Sequence, residues 1–299
     1  MRTELRRFLR LRPAPSPAEP LVRHTETCDG YARSLVSIAA TDGDPPFDAF
    51  LFRPTAPTPV TDTAVVVLHQ HASDWSVGKS EVAGLAGDPL HAFGPLLARA
   101  GLLVLAPDAI GFESRRGPGD DWLQYTNHAM HRLVHGELLM RQVLGDVAAT
   151  VSAAQAVGAR NIGVAGHSYG GNVALFAAAV DERISFACVS GALGSYRQKR
   201  AAGTGLEMAL VIPGFAERFD VDDLVRCVAP RPMLVVSSDE DPYAADATEV
   251  VAQARPAYVA AGKGEALEHL RTSGPHALDE RRHQAIMAWL VARGRPKAR

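Results

Sequence analysis

The residues with the clearest chemical potential surround Ser168. It stands in Gly166-His167-Ser168-Tyr169-Gly170, between a short apolar run and a helical pattern of small residues. A tight turn from strand to helix strains the serine backbone, and larger side chains two residues before or after it would collide with the strand or the helix. Glycine at both places removes that conflict. The pattern predicts a nucleophile elbow that projects the Ser168 hydroxyl above the sheet.

The segments around this elbow alternate between predicted strands and helices. Residues 34–39 and 48–53 predict an antiparallel edge hairpin, and 64–69 is a continuous β-branched run typical of a strand buried on both faces. Besides the elbow strand, later strands are predicted at 102–106, 184–190, 233–237 and 267–272, with helices within 89–100, 137–157, 244–261 and 281–291. Strict alternation predicts an α/β fold, with a mostly parallel sheet covered by helices on both faces.

Two segments stand apart from this alternation. Residues 1–30 predict an N-terminal arm, with a short amphipathic helix followed by a proline-rich connector, and the catalytic domain is expected over 31–299. Within that domain, 191–223 follows the sixth predicted strand and is longer than a simple connection needs. Its glycines and proline are typical of irregular structure, so we expect a wall or lid over the site.

These motifs resemble those of the α/β-hydrolases, and within them the dienelactone hydrolase and acetyl xylan esterase-like group. The resemblance runs from about residue 47 to residue 290. Besides the elbow, it is carried by the motifs His69-Gln70-His71, Gly78-Lys79-Ser80-Glu81, Ala106-Pro107-Asp108, Ala229-Pro230-Arg231-Pro232 and Asp241-Pro242. It implies an α/β-hydrolase fold and ester hydrolysis by a serine triad, without identifying the substrate.

A serine hydroxyl needs a base to activate it and an acid to orient that base. In the superfamily the acid follows the serine in the chain and the histidine comes last. Asp239, Glu240 and Asp241 all follow the strand predicted at 233–237 and qualify by location. We expect Asp241 to be the acid, because the family pattern places the acid directly before a proline. Asp239 stays the alternative, with a turn-capping role as its simpler interpretation.

The base is expected in the loop after the last predicted strand. His276 lies there, and Gly274 with Pro275 fixes a turn from which a side chain can point back at the elbow. His269 lies within the preceding strand and His283 on the following helix. We therefore expect His276 to be the base and the other two to pack or to be solvated.

Two backbone N–H groups are expected to bind the oxyanion of the tetrahedral intermediate. One is that of Tyr169, the residue after the nucleophile, and the resemblance assigns the other to His71. Where the superfamily usually has His-Gly, this chain has His69-Gln70, and the Gln70 side chain could itself donate.

Further side chains are expected in the substrate pocket. Gln70 and Trp75 follow the strand predicted at 64–69, and Trp122 and Tyr125 lie on a segment that is a candidate pocket wall. Arg115 follows the fourth predicted strand, at the edge of the sheet where α/β folds bind ligands. It could hold a substrate carboxylate, although a solvated arginine is an equally simple interpretation.

Three histidines suggest a metal site as an alternative. His128, His131 and His135 are spaced so that they would share one face of a helix, and such a face can bind zinc. No carboxylate or cysteine stands at a convincing companion spacing, so a polar helical face is the expected explanation. We predict neither a metal nor a cofactor.

Composition limits the remaining classes of function. With 299 residues, 47% of them hydrophobic, the chain can bury one large core, and a net charge of −2 gives no case for nucleic acid or an anionic membrane. Three widely spaced cysteines argue against a disulfide framework and fit a reducing compartment. The basic N-terminus lacks the apolar core of a signal peptide, so we expect a cytoplasmic protein, with a homodimer left open.

The sequence thus predicts a serine hydrolase that cleaves a small to medium carboxylic ester or lactone through an acyl-enzyme. An acyltransferase, a thioesterase or a cyclising biosynthetic enzyme would use the same triad, and sequence does not separate these. A non-catalytic binding protein on this scaffold would usually lack a triad member, whereas all three candidates are present here.

Overall fold

The computed structural model describes residues 1–41, 43–58, 61–117 and 122–294. The rest of the predicted 31–299 domain lies outside the described residues. The strands are β1 (Leu21–Cys28), β2 (Tyr31–Ile38), β3 (Phe47–Pro54), β4 (Thr63–Leu68), β5 (Leu103–Pro107), β6 (Asn161–His167), β7 (Ile184–Ser190), β8 (Met233–Ser238) and β9 (Leu267–Thr272). The helices are α1 (Arg2–Phe8), α2 (Lys79–Val82), α3 (Phe93–Arg99), α4 (Trp122–Val134), α5 (Leu139–Ala156), α6 (Tyr169–Val180), α7 (Tyr196–Ala202), α8 (Val221–Val228), α9 (Ala247–Ala260) and α10 (Glu280–Gly294).

All nine of these strands form one mixed sheet in the order β1-β2-β3-β5-β4-β6-β7-β8-β9. The first three strands are antiparallel, β3 pairs antiparallel with β5, and the six strands from β5 to β9 run parallel. The predicted mostly parallel sheet is confirmed. Parallel strands bring their carboxyl ends to one edge, so the loops after β4, β6, β8 and β9 meet there.

Alternating residues of β4 show why both faces of this sheet are covered. Val66 packs into a core that includes α5, α6, α8 and α9, whereas Val65 and Val67 pack into a second core with α3 and α10. All six residues of β4 are buried. A continuous β-branched run is what such a doubly buried strand requires.

The antiparallel edge of the sheet differs from the prediction. Residues 31–38 and 47–54 do pair, but the outermost strand is β1, which the sequence analysis placed in the N-terminal arm. Its residues are nearly all exposed, so no hydrophobic pattern marks it. Pairing with β2 forms it instead, helped by a hydrogen bond between the Thr25 and Ser34 hydroxyls at 2.8 Å.

The N-terminal helix packs against the body of the protein. Leu5 and Leu9 are buried in the larger core, and the Phe8 ring makes edge contacts with Phe215 and Phe219. Arg6 donates a hydrogen bond of 2.8 Å to the Val180 carbonyl at the end of α6. These contacts join the helix to the segment that follows β7.

That segment, 191–223, is folded rather than extended. It contains α7, two short 3₁₀ turns and the beginning of α8, and it buries Ile212, Phe215 and Phe219. In the part of the chain that the structure describes, no helix combines the length and the apolar character that crossing a membrane demands.

Candidate active site

Ser168 occupies the sharp turn between β6 and α6, in the backbone conformation that the elbow predicts. Its φ is 56° and its ψ is −118°, a region that costs a non-glycine residue about 1–3 kcal/mol. A Cβ atom on Gly166 would overlap the backbone of Gly170, and one on Gly170 would overlap the Leu68 carbonyl. The requirement for glycine on both sides of the serine is therefore confirmed as steric.

The candidate base and acid lie beside this serine. His276 Nε2 is 2.8 Å from Ser168 Oγ, and His276 Nδ1 is 2.9 Å from Asp241 Oδ2. The Asp241 side chain is fully buried, and its other oxygen accepts a hydrogen bond of 2.8 Å from the Tyr243 N–H. Three groups far apart in sequence are thus joined in one continuous line of hydrogen bonds.

The alternative acid has a different position. Asp239 is exposed, and its Oδ1 accepts a hydrogen bond of 2.9 Å from the Gly274 N–H. It holds the loop that carries His276, as a turn-capping residue would, but the hydrogen bond to the imidazole comes from Asp241. Glu240 is also exposed.

The two other candidate histidines are engaged elsewhere. His269 Nε2 lies 2.8 Å from the Ser237 hydroxyl within the β8–β9 pair, and His283 Nδ1 donates to the Leu90 carbonyl at 2.7 Å. Both are packed as the sequence analysis expects.

Two further histidines form a neutral wall behind His276. The ring of His167 lies 5.0 Å from that of His276, and the ring of His91 lies 5.2 Å from that of His167. Burial lowers the pKa of His91 to about 4 and holds the pKa of His167 well below its usual value. Both therefore stay uncharged near neutral pH and place no cation behind His276.

The two residues expected to donate to the oxyanion, Tyr169 and His71, line the same cavity as Ser168. Tyr169 begins α6, and N–H groups in a first helical turn have no intrahelical acceptor. His71 begins a tight turn in which Ala72 and Ser73 both have positive φ and the Asp74 N–H donates to the His71 carbonyl at 3.2 Å. Both N–H groups remain predictions as oxyanion donors.

Hydrogen bonds from His69 and Gln70 hold the loop that carries His71 in place. His69 is buried, and its Nε2 accepts a hydrogen bond of 3.1 Å from the Ala109 N–H, so its proton lies on Nδ1 and is donated to the Gln70 carbonyl at 2.8 Å. The Gln70 amide in turn donates to Glu81 Oε1 at 2.8 Å. The Gln70 amide, which the sequence analysis considered as an additional oxyanion donor, is therefore already hydrogen-bonded to Glu81.

A buried ion-pair cluster fixes the other end of the same loop. Lys79 Nζ lies 2.7 Å from Asp108 Oδ2 and 2.6 Å from Glu113 Oε1. Burial lowers the pKa of Lys79, but the two carboxylates outweigh it and raise that pKa above its usual value. The family motifs around residues 79 and 108 thus join two loops beneath the site.

Ser168 and His276 open into a cavity of about 480 Å³. Four of the predicted pocket residues, Gln70, Trp75, Trp122 and Tyr125, line it together with His71 and Tyr169. The excursion 191–223 supplies another wall, so the predicted contact between this segment and the site is present. The loop after β8 contributes Tyr243 to the lining. The excursion contributes Gly191, Lys199, Gly205, Leu206, Glu207, Met208 and Leu210.

The fifth predicted pocket residue lies elsewhere. Arg115 does not line this cavity: its guanidinium forms a buried ion pair of 2.6 Å with Asp146 on α5 and packs over the Phe47 ring. The prediction was wrong because the carboxylate that holds Arg115 is distant in sequence. Arg115 instead lines a neighbouring cavity of about 220 Å³, which shares Tyr125 with the cavity at Ser168.

Glu207 is a cavity residue that sequence reasoning missed. It accepts hydrogen bonds from the Tyr125 hydroxyl and from the Ala209 N–H, the latter at 2.8 Å, and so ties the excursion to α4. Burial raises the pKa of Glu207 to about 7, although these donors favour the carboxylate. The sequence signal for Glu207 was its place in the predicted wall 191–223, and that for Tyr243 was its place two residues after Asp241.

The three histidines considered for zinc are exposed. His128 and His131 lie on α4 and His135 lies just beyond it, and His128 Nε2 accepts a hydrogen bond of 3.0 Å from Arg132. Across the described residues, no three histidine, cysteine or carboxylate side chains converge as a metal ion would need.

Several solved structures are similar to this chain. A protein named as an acetyl xylan esterase from Bacteroides fragilis has a TM-score of 0.66 and 18% identity, over 91% of this chain and 73% of that protein. A glucuronoyl esterase from Solibacter usitatus has a TM-score of 0.66 and 16% identity, over 98% and 91%. A protein named as a dienelactone hydrolase from Klebsiella pneumoniae has a TM-score of 0.55 and 19% identity, over 86% and 98%.

No protein-family model matches the sequence, and the curated proteins give no match either. Identities this low establish the fold alone. Together with the nine-stranded mixed sheet and the strand-turn-helix around Ser168, the solved structures show that the chain has the α/β-hydrolase fold. The resemblance to the acetyl xylan esterase-like and dienelactone hydrolase group is confirmed at that level.

Proposed function

We propose that this protein is a serine hydrolase that cleaves carboxylic esters or lactones through an acyl-enzyme. The observation that carries the proposal is the hydrogen-bonded line from Ser168 Oγ through His276 to Asp241, at 2.8 and 2.9 Å, at the mouth of a cavity of about 480 Å³. A cavity of this size suits a small to medium substrate.

In the first half of the reaction Ser168 Oγ attacks the ester carbonyl and His276 Nε2 takes its proton. Asp241 holds Nδ1–H, which keeps Nε2 free to accept, and it stabilises the imidazolium that forms. The N–H groups of Tyr169 and His71 bind the oxyanion. The intermediate collapses as the carbon–oxygen bond to the alcohol breaks, and His276 returns its proton to that leaving oxygen.

In the second half water replaces the alcohol. His276 removes a proton from water as the oxygen attacks the acyl carbon, and the second tetrahedral intermediate expels Ser168 Oγ, which regains its proton. The carboxylic acid leaves and the protein returns to its starting state. No external oxidant, reductant or cofactor enters this balance.

The similar structures support this choice of chemistry. Their names describe esterases for acetyl xylan and glucuronoyl groups and a hydrolase for dienelactones, and all of these act on an acyl–oxygen bond. Aromatic side chains in the cavity wall, Trp75 and Tyr125 among them, suit a substrate with an apolar or ring-shaped face.

The test is covalent labelling together with a substrate screen. A fluorophosphonate should label the purified protein once, on Ser168 as located by peptide mapping, and esters and lactones of graded size should yield free acid. Absence of both labelling and hydrolysis would rule the proposal out. Transfer of the acyl group to an added alcohol or amine, with little free acid, would instead indicate an acyltransferase.

The choice of acid has its own matched pair of variants. Asp241→Asn should lower kcat by about 10⁴-fold, because an amide at this position favours the wrong imidazole tautomer. Asp239→Asn should have a mild effect, since an amide oxygen can still accept from the Gly274 N–H. The measurement is kcat on one activated ester, with the thermal midpoint as a folding control. An exchange of the two outcomes would assign the acid to Asp239.

A further inference from the structure

Lys199 lies in the wall of the candidate active site. Among the described residues that line the cavity, no other side chain carries an ammonium or a guanidinium group. Lys199 lies on α7, in the excursion that closes one side of the cavity, and only 4% of the residue is exposed. A lysine this buried is unusual unless its charge has a partner.

The protein itself partners this charge incompletely. An ammonium has three N–H donors, and Lys199 Nζ donates one hydrogen bond, to the Gly194 carbonyl at 2.7 Å. It also lies 5.9 Å from the centre of the Tyr196 ring, a weak cation–π contact that supplies no acceptor for the two remaining donors. In the described part of the chain no carboxylate lies within ion-pair distance of Nζ. Leaving donors of a buried charge unused costs free energy, so the position calls for a partner that the chain does not supply.

The carboxylates whose charges act on Lys199 are already engaged with other groups. Asp246 accepts from the Ser195 N–H and hydroxyl, Asp220 accepts from the Tyr196 N–H, and Asp241 holds His276. These three carboxylates contribute a negative field at Nζ, and Glu207 adds another carboxyl group to the same cavity. They attract the cation without binding it directly.

Lys199 stands on the His276 side of the cavity. Gly194, which accepts its hydrogen bond, packs against the Tyr243 carbonyl, and the Tyr243 ring lies 4.9 Å from the His276 ring. A group bound at Nζ would therefore share the cavity with an ester held at Ser168.

We propose that Lys199 binds a carboxylate carried by the ester substrate, so that the natural substrate is an anionic ester of a small organic acid. This inference rests on the proposed esterase function and adds the substrate class. A carboxylate suits the position because it accepts charge-assisted hydrogen bonds from an ammonium with free donors. Arg115, considered for the same role from sequence, is held by Asp146 outside this cavity.

The charge of Lys199 gives the proposal a pH signature. Burial lowers the pKa of Lys199 to about 8, while Asp246, Asp220 and Asp241 act in the opposite direction. The amine is charged below that pH and neutral above it. Preference for an anionic substrate should therefore be present near pH 7 and fall as the pH rises through about 8. Glu207, whose pKa is raised to about 7, gains charge in the neighbouring range and must be separated from this effect.

The experiment compares two pairs of esters. In the first, the 4-nitrophenyl monoester of glutaric acid is matched with the glutaramic acid ester, in which an amide replaces the acyl-side carboxylate. In the second, 4-acetoxybenzoate is matched with 4-acetoxybenzamide, which places the charge on the leaving group. For each pair, the acid preference is the kcat/KM of the acid ester divided by that of the amide ester. The readout compares this acid preference between the wild type and Lys199→Met. Differences in intrinsic ester reactivity cancel in that comparison.

We expect Lys199→Met to lose about tenfold or more of the acid preference in at least one pair, mainly through a higher KM for the acid, with a smaller change in kcat/KM for the matched amide ester. Lys199→Arg should retain part of the preference. In the wild type and in Glu207→Gln the preference should decline above pH 8, a result that does not depend on the folding of the methionine variant. Equal ratios in wild type and Lys199→Met, or a preference that does not change with pH, would overturn the proposal. Failure of the wild type to cleave any of the four esters would count against the esterase function itself.

Discussion

Ser168→Ala should abolish labelling by a fluorophosphonate and lower kcat by about a millionfold, the loss typical of a serine nucleophile. The substitution removes one oxygen atom, which lies 2.8 Å from His276 Nε2. Alanine carries a Cβ atom as serine does, so the strain of a φ of 56° stays about the same. The fold should therefore survive while the chemistry is lost.

The control for this variant is its thermal unfolding midpoint, which should stay close to that of the wild type. Labelling followed by peptide mapping is the decisive measurement. A Ser168→Ala protein that still labels fully would place the nucleophile elsewhere. A weak residual hydrolysis without labelling is compatible with the proposal, because oxyanion donors and binding alone retain some catalysis.

His276→Ala should have an effect of the same size, because a serine without its general base loses about as much activity as a chain without the serine. In the wild type, activity should fall on the acid side of the pH profile as the imidazole takes up a proton and can no longer accept one from Ser168. The variant should lose both the activity and this acid limb. The measurement is kcat/KM against pH for a neutral ester.

Two controls make the pH result specific. Burial raises the pKa of Glu207 to about 7, so this carboxyl group also changes charge near neutral pH, and Glu207→Gln must retain the acid limb if His276 is responsible. His128→Ala, His131→Ala and treatment with a chelator should likewise leave it in place. Activity that is lost on chelation and restored by zinc would contradict the mechanism and move attention to the exposed histidines of α4.

Local sequence was sufficient for the elbow and for the core of the sheet. The glycines at 166 and 170 are required by atoms that lie within a few residues or on the adjacent strand β4, so their spacing predicts the turn directly. The β-branched run at 64–69 reflects burial on both faces, which is a property of each residue in the strand. The order of serine, aspartate and histidine added the other two members of the site.

Choosing among neighbouring polar groups needed the tertiary structure. Asp239 and Asp241 are only two residues apart in the chain. The course of the loops after β8 and β9 shows that Asp239 accepts a hydrogen bond from the Gly274 N–H, whereas Asp241 accepts one from His276. Arg115 was predicted in the substrate pocket, and its partner Asp146 could not be identified from the sequence because it is 31 residues away. Strand β1 carries no hydrophobic pattern, and it forms because its backbone pairs antiparallel with β2.

The sequence by itself determined the fold, the strained serine and the pairing of an acid with a histidine, because each depends on short-range sterics, on periodic burial or on the order of motifs along the chain. Tertiary structure alone decided which charges face the cavity. Lys199 and Glu207 belong to an excursion with no regular pattern, and their surroundings come from α4, from α7 and from the loop after β8. The charge of a buried group depends on the neighbours that folding brings to it, and those neighbours are distant in sequence.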